Sequence, residues 1–113
     1  MADLPWEITP LQVKQKLDAG EALHLIDVRE PAEFQITRIA GAELIPMNSV
    51  PAALQKLEAQ ADEGTLIVFC HHGVRSLRVV NWLRDQGVTA TQSMAGGIDR
   101  WSLEIDPGVP RYS

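Results

Sequence analysis

The strongest constraint on this chain is an alternation. Short, largely apolar runs, LHLIDV at 23–28, AELIPM at 42–47 and TLIVFC at 65–70, are separated by stretches whose apolar residues recur at helical spacing. Such runs predict strands buried on both faces, the pattern of a parallel sheet covered by helices. TATQSM at 89–94 extends the alternation more weakly. The chain therefore predicts an α/β fold with a mostly parallel sheet and helices on both faces. Its 113 residues suit a single domain, with a core over about 7–104 and a tail over 105–113.

Local signals place the helices. Thr9 is an N-cap followed by Pro10 at the first helical position, with Leu11, Val13 and Leu17 facing one way and Gly20 as the stop. Arg29, Glu30 and Pro31 open a turn and a short helix through Phe34. Pro46 ends the second run, Asn48 or Ser49 caps a helix with Val50, Leu54 and Leu57 on its apolar face, and Ala61 to Gly64 form a loop. Ser76 caps a helix to about Gln86, with Leu77, Val80 and Leu83 on one face and Gly87 at C′. Gly96-Gly97 breaks the last strand before a short helix carrying Trp101. The tail IDPGVPRYS predicts an irregular path over the surface.

Composition narrows the function classes. The apolar fraction of 45% and charged fraction of 22% are those of a soluble globular protein. A net charge of -5 without a Lys/Arg cluster argues against nucleic acid as a partner. No run approaches the roughly 20 apolar residues of a membrane span, and the first ten residues lack the pattern of a signal peptide. A lone cysteine permits no internal disulfide, which fits a cytoplasmic setting and excludes an internal resolving thiol. Nothing in the chain demands more than a monomer.

That cysteine, Cys70, ends the clearest strand and enters the loop His71-His72-Gly73-Val74-Arg75 before the helix at Ser76. In parallel α/β sheets, ligands bind outside the carboxyl ends of strands. Gly73 can take a positive φ, and a tight curl there turns backbone N–H groups inward as a nest for an anion. The following helix adds its positive end and Arg75 a permanent charge. These effects favour a thiolate, the attacking form of cysteine. The spacing thus predicts a reactive Cys70 over an anion cradle, although a free cysteine at a strand end is ordinarily inert core.

CHHGVRS resembles the active-site loop of single-domain rhodaneses, with its pattern Cys-x-x-Gly-x-Arg-Ser. LIDVREPAEF at 25–34 resembles the family's Asp-Val-Arg segment, IAGAELIP at 39–46 its Ile-x-Gly-Ala-x-x-Ile-Pro segment, and AGGIDRW at 95–101 its closing Gly-Gly-x-x-x-Trp segment. The motifs come in the family's order and cover nearly the whole chain. The resemblance implies a three-layer sandwich with a five-stranded sheet. It also implies a sulfurtransferase without metal or organic cofactor. Cys70 would take sulfur from a donor such as thiosulfate, become a persulfide, and pass the outer sulfur to cyanide or a thiol. The main-chain N–H groups of His71, His72, Gly73, Val74, Arg75 and Ser76 would hold the persulfide, and Arg75 would help bind an anionic donor. One departure is Thr37-Arg38, where the family often has Gly-His, and it bears on local packing.

Other readings compete. Phosphatases and arsenate reductases resembling this superfamily carry one more residue between Cys and Arg, making a cradle wide enough for a tetrahedral oxyanion; four residues here suit sulfur. An intact loop can also serve a non-turnover carrier or binding module for a partner. A zinc site from Cys70, His71 and His72 requires three consecutive residues to converge, with only His24 elsewhere. The histidines are expected to face solvent, and a protonated one beside the thiolate would strengthen it near neutral pH. Asp27 and Arg29 are expected to brace the loop, with Arg29 pairing Glu33 at i,i+4. Arg78 is expected on a positive rim or in solvent, and Trp82 and Trp101 in the core. Expected partners are small-molecule donors and acceptors, a cysteine desulfurase, a thioredoxin-like protein or a sulfur-carrier protein.

Overall fold

Strands and helices alternate through residues 4–113, the residues that the computed structural model describes. The expectation about a signal peptide concerns residues 1–3 in part, and these lie outside the described residues. In chain order the elements are β1 (Glu7–Ile8), α1 (Pro10–Asp18), β2 (Leu23–Asp27), α2 (Pro31–Ile36), β3 (Glu43–Leu44), α3 (Leu54–Glu63), β4 (Thr65–Phe69), α4 (Val74–Asp85), β5 (Thr91–Met94) and α5 (Gly97–Glu104). The strand order is β1-β5-β4-β2-β3, and every pairing is parallel.

β4 takes the centre because it is the most apolar run, and its alternation splits the core. Leu66, Val68 and Cys70 join Leu57 of α3 and Val79, Val80 and Leu83 of α4 on one face. Ile67 and Phe69 join Val13 of α1 and Ile98 and Trp101 of α5 on the other. Cys70 therefore points to the α4 side. β5 holds four buried residues despite its polar sequence, and two of its polar side chains find partners. Gln92 Nε2 donates to the Pro5 carbonyl at 3.0 Å, and Ser93 pairs with Ser76 of α4. No described helix is long and apolar enough to cross a membrane.

Thr9 caps α1 with a reciprocal pair: its Oγ1 accepts from the Gln12 N–H at 3.2 Å, and Gln12 Oε1 accepts from the Thr9 N–H at 3.0 Å. Only Pro10 and Val13 of this helix are buried, whereas Leu11 and Leu17 are exposed, so the expected apolar face is wrong in two of three positions. α1 meets the core along one edge rather than a broad stripe. β1, absent from the sequence reading, is a two-residue edge strand too short to show periodicity. β3 is shorter than AELIPM, because Pro46 has no N–H to give; Ile45 and Met47 still donate to the Asp27 and Val28 carbonyls.

Neither Asn48 nor Ser49 caps α3. Two single 3-10 turns, Met47–Ser49 and Pro51–Ala53, lead into it instead. α3 runs on through Glu63, so the polar stretch at 61–64 is largely the last turn of a helix. The tail is irregular, as expected, but it does not merely lie on the surface. Val109 is buried, Tyr112 is half-buried, and Ser102 donates its hydroxyl to the Val109 carbonyl.

Candidate active site

The chain reverses direction between β4 and α4 in four residues, and Gly73 makes this feasible. Its φ of +100° belongs to the left-handed region that favours glycine, and it stands as the N-cap of α4. The helix thus begins at Val74, two residues before Ser76, which is not a cap. Ser76 lies inside the first turn, fully buried and turned toward the cysteine.

Cys70 is 1% exposed. Its Sγ accepts from the Gly73 N–H at 3.1 Å and from the Ser76 N–H at 3.4 Å. Ser76 Oγ is 3.4 Å from the sulfur and 2.8 Å from the Ser93 hydroxyl on β5. Backbone donors, a hydroxyl chain and the N-terminal end of α4 converge on one sulfur atom. Val74 and Arg75 share that first turn, where N–H groups have no intrahelical carbonyl to bind. The arrangement can stabilise negative charge on Sγ or on an atom attached to it.

The loop is held from behind by α5. The Ile98 N–H donates to the Cys70 carbonyl at 2.9 Å, and the Asp99 N–H to the His71 carbonyl at 3.2 Å. A Cβ on Gly97 would collide with both carbonyls, and one on Gly73 would press on the backbone of Gly96 at 3.2 Å. The Gly-Gly pair is therefore a contact surface for the cysteine loop as well as a strand breaker.

Charges around the mouth are paired. Arg75 places its two terminal nitrogens 2.8 Å from the two Glu33 oxygens in a bidentate pair. Arg75 holds the Glu33 carboxyl well below the usual carboxylate range, at about 2, against an opposing effect of burial. Glu33 thus serves Arg75, not Arg29 as i,i+4 spacing suggested. Arg29 is fully buried: it meets Asp27 at 2.6–3.1 Å and donates to the Thr37 carbonyl at 2.7 Å and the Tyr112 hydroxyl at 3.2 Å. Thr37 is thus a bracing point in the departing segment, and Arg38 lies over the Phe34 ring.

Tyr112 was missed by the sequence reading. Its hydroxyl donates to Glu33 at 2.7 Å, its ring stacks on His71 at 3.9 Å, and its carbonyl lies 2.8 Å from His71 Nε2. His71 is therefore half-buried rather than solvent-facing. Burial and the neighbouring His72 lower its pKa, which disfavours the protonated form suggested for a loop histidine. His72 is exposed, 4.0 Å from Asp99. Among the described residues no three metal-capable side chains gather. Arg78 is exposed and, with Trp6, Val74 and Leu77, lines an open groove of about 700 Å³ beside the loop. Trp101 is buried, Trp82 packs at the core margin, and Trp6 lies exposed beneath Arg84.

Fold and site together define a parallel α/β domain with a cysteine loop at the carboxyl end of its central strand. The family model for the rhodanese-like domain matches residues 9–104, and the chain belongs to that family. It is 35% identical over 101 residues to the putative sulfurtransferase YtwF of Bacillus subtilis, covering 89% of this chain and 94% of that protein. It is 38% identical over 109 residues to the adenylyltransferase and sulfurtransferase MOCS3-1 of Zea mays; this match covers 93% of the chain but only 23% of that longer protein. Among solved structures, a rhodanese-like domain protein from Staphylococcus aureus superposes with a TM-score of 0.79 at 30% identity, covering 96% of this chain and all of that one. The human single-domain sulfurtransferase TSTD1 gives 0.77 at 25% identity, covering 89% and 98%.

Proposed function

We propose that the protein is a rhodanese-type sulfurtransferase that carries sulfane sulfur as a persulfide on Cys70. The observation that carries this reading is the cysteine sulfur under the Gly73 and Ser76 N–H groups at the start of α4. With thiosulfate, the Cys70 thiolate attacks the outer sulfur, the S–S bond of the donor breaks with its electron pair, and sulfite leaves. Cys70–S⁻ and S₂O₃²⁻ give Cys70–S–S⁻ and SO₃²⁻. Cyanide or a thiolate then takes the outer sulfur and returns Cys70–S⁻. The first-turn N–H groups from Gly73 to Ser76 are placed to hold the persulfide anion. The neighbouring groove leaves room for a small acceptor or for a thiol presented by a thioredoxin-like or sulfur-carrier protein. The relatives named sulfurtransferases support the same reading.

Intact mass after thiosulfate treatment tests it. The expected result is a gain of one sulfur, removed by cyanide and absent in Cys70→Ser. No gain on Cys70 from thiosulfate or an organic persulfide sinks the reading. The four-residue spacing from Cys70 to Arg75 favours sulfur over a phosphoryl or arsenate group. Turnover of an aryl phosphate or arsenate, with none for sulfur, would reverse that preference.

A further inference from the structure

A cation beside a nucleophilic cysteine ordinarily attracts anionic substrates. Here three of the arginines around the mouth are matched with carboxylates. Arg29 is bound to Asp27, Arg75 to Glu33, and Arg111 to Asp99. Arg75 matters most, because it alone of the three stands in the first turn of α4, next to Ser76 whose N–H reaches the Cys70 sulfur. Both of its terminal nitrogens are committed to Glu33.

Glu33 is not a loosely held surface partner. Besides Arg75 it accepts from the Tyr112 hydroxyl at 2.7 Å and from the Glu30 N–H at 2.9 Å. Tyr112 is itself tied to the buried Arg29 at 3.2 Å. Four donors therefore fix the carboxylate. Its low pKa keeps it ionised at any working pH, so no proton releases Arg75. Arg78 has no ion pair among the described residues, but it is exposed, and water and salt screen it.

We propose that Glu33 sets the donor preference of the Cys70 site by withholding Arg75 from compact anions, so that the site favours a persulfide carried on an organic thiol over a dianion such as thiosulfate. The proposal rests on the sulfur-transfer reading of Cys70. An approaching dianion meets a neutral pair whose carboxylate repels it. An organic persulfide brings a single charge, and its organic part can lie against Trp6, Val74 and Leu77 in the groove whose wall also holds Glu7, His72 and Arg78. The transfer remains balanced: R–S–S⁻ and Cys70–S⁻ give R–S⁻ and Cys70–S–S⁻, with the donor S–S bond broken and the new one formed.

Alkylation of Cys70 reads the local charge without any sulfur chemistry. The measured quantity is the rate with iodoacetate divided by the rate with iodoacetamide. Glu33→Gln should raise this ratio about fivefold or more and lower the KM for thiosulfate by a similar factor. The KM for the singly charged persulfide of 2-mercaptoethanol should fall by a smaller factor than that for the dianion thiosulfate, and an equal fall would overturn the donor preference. Adding Arg75→Gln to the first variant should return the ratio to its wild-type value. An unchanged ratio in Glu33→Gln, or a raised ratio that persists in the double variant, overturns the proposal. If Glu33→Gln does not fold, Arg75→Gln alone decides: it leaves Glu33 uncompensated and should lower the ratio, and no change would overturn the proposal. Absence of sulfur on Cys70 from every donor would instead remove the sulfur-transfer reading, while the ratio would still report whether Glu33 withholds Arg75.

Discussion

A methyl group on Gly97 would meet the carbonyls of Cys70 and His71, and the residue sits at φ +61°. Gly97→Ala is therefore expected to lose about 2–4 kcal/mol in urea unfolding, from strain and backbone collision together. The same substitution at Gly41, where a Cβ meets nothing within 4 Å, should cost only its positive φ, about 1 kcal/mol; equal losses would contradict the contact role of Gly97. Glu33 gives a second residue-scale test. Its carboxyl is depressed from 4.5 to about 2, so its stabilisation is complete above about pH 4.5 and disappears as pH falls through about 2. The stability gap between wild type and Glu33→Gln should shrink across that window, and a constant gap would refute it. At this scale the sequence speaks selectively. Cys70 and Gly73 are legible because chemistry and φ restrict them. The Ser76 N–H is expected in the cradle from the family resemblance, but its side chain reads only as a cap, since nothing in its neighbours reveals that Gly73 caps the helix instead. Ser93, on the next strand along the chain, carries no local signal at all.

Elements make the tail the instructive case. Two prolines and a glycine in IDPGVPRYS exclude regular structure, and the irregular path follows. What composition cannot reveal is where that path docks. Tyr112 stacks on His71 and bonds Glu33, so the tail is part of the wall of the cysteine loop. The one available signal was a large aromatic in an otherwise polar end, a residue type that seldom stays in water without a partner. Tyr112→Ala should lower stability by about 1–3 kcal/mol, from the lost stack and hydrogen bonds. It should also speed amide exchange at Gly73 and Ser76 more than at Leu66 to Phe69 in the sheet centre. Uniform acceleration would mean that the tail stabilises the domain without bracing the loop. β2, β3 and β4 were visible because apolar density marks strands, although β3 pairs over only two residues, whereas β1 is a two-residue edge pairing specified by its neighbours.

Across the whole molecule, the parallel order β1-β5-β4-β2-β3 brings the carboxyl ends of β2, β4 and β5 to one side. Loops that are far apart in sequence then share a single buried cation. Arg29 leaves the end of β2, binds Asp27 at the same end, and reaches the Thr37 carbonyl after α2 and Tyr112 in the tail. The sequence placed Asp27 and Arg29 as braces but not in the interior, because a charged pair is buried only when several distant elements close over it. Both side chains are 0% exposed, so each would be a stranded charge without the other. Arg29→Met should therefore lose about 3–5 kcal/mol, and Asp27→Leu a similar amount, in chemical denaturation. The double variant replaces the pair by apolar groups and removes the stranded charge. It should recover much of either single loss, yet leave the Thr37 carbonyl and Tyr112 hydroxyl without their donor. Recovery of stability with an altered loop would separate two roles of the pair, compensating buried charge and joining the tail to the site. If the double loss instead equals the sum of the single losses, Asp27 and Arg29 act independently, and the pair is not the joint that holds this end of the sheet together.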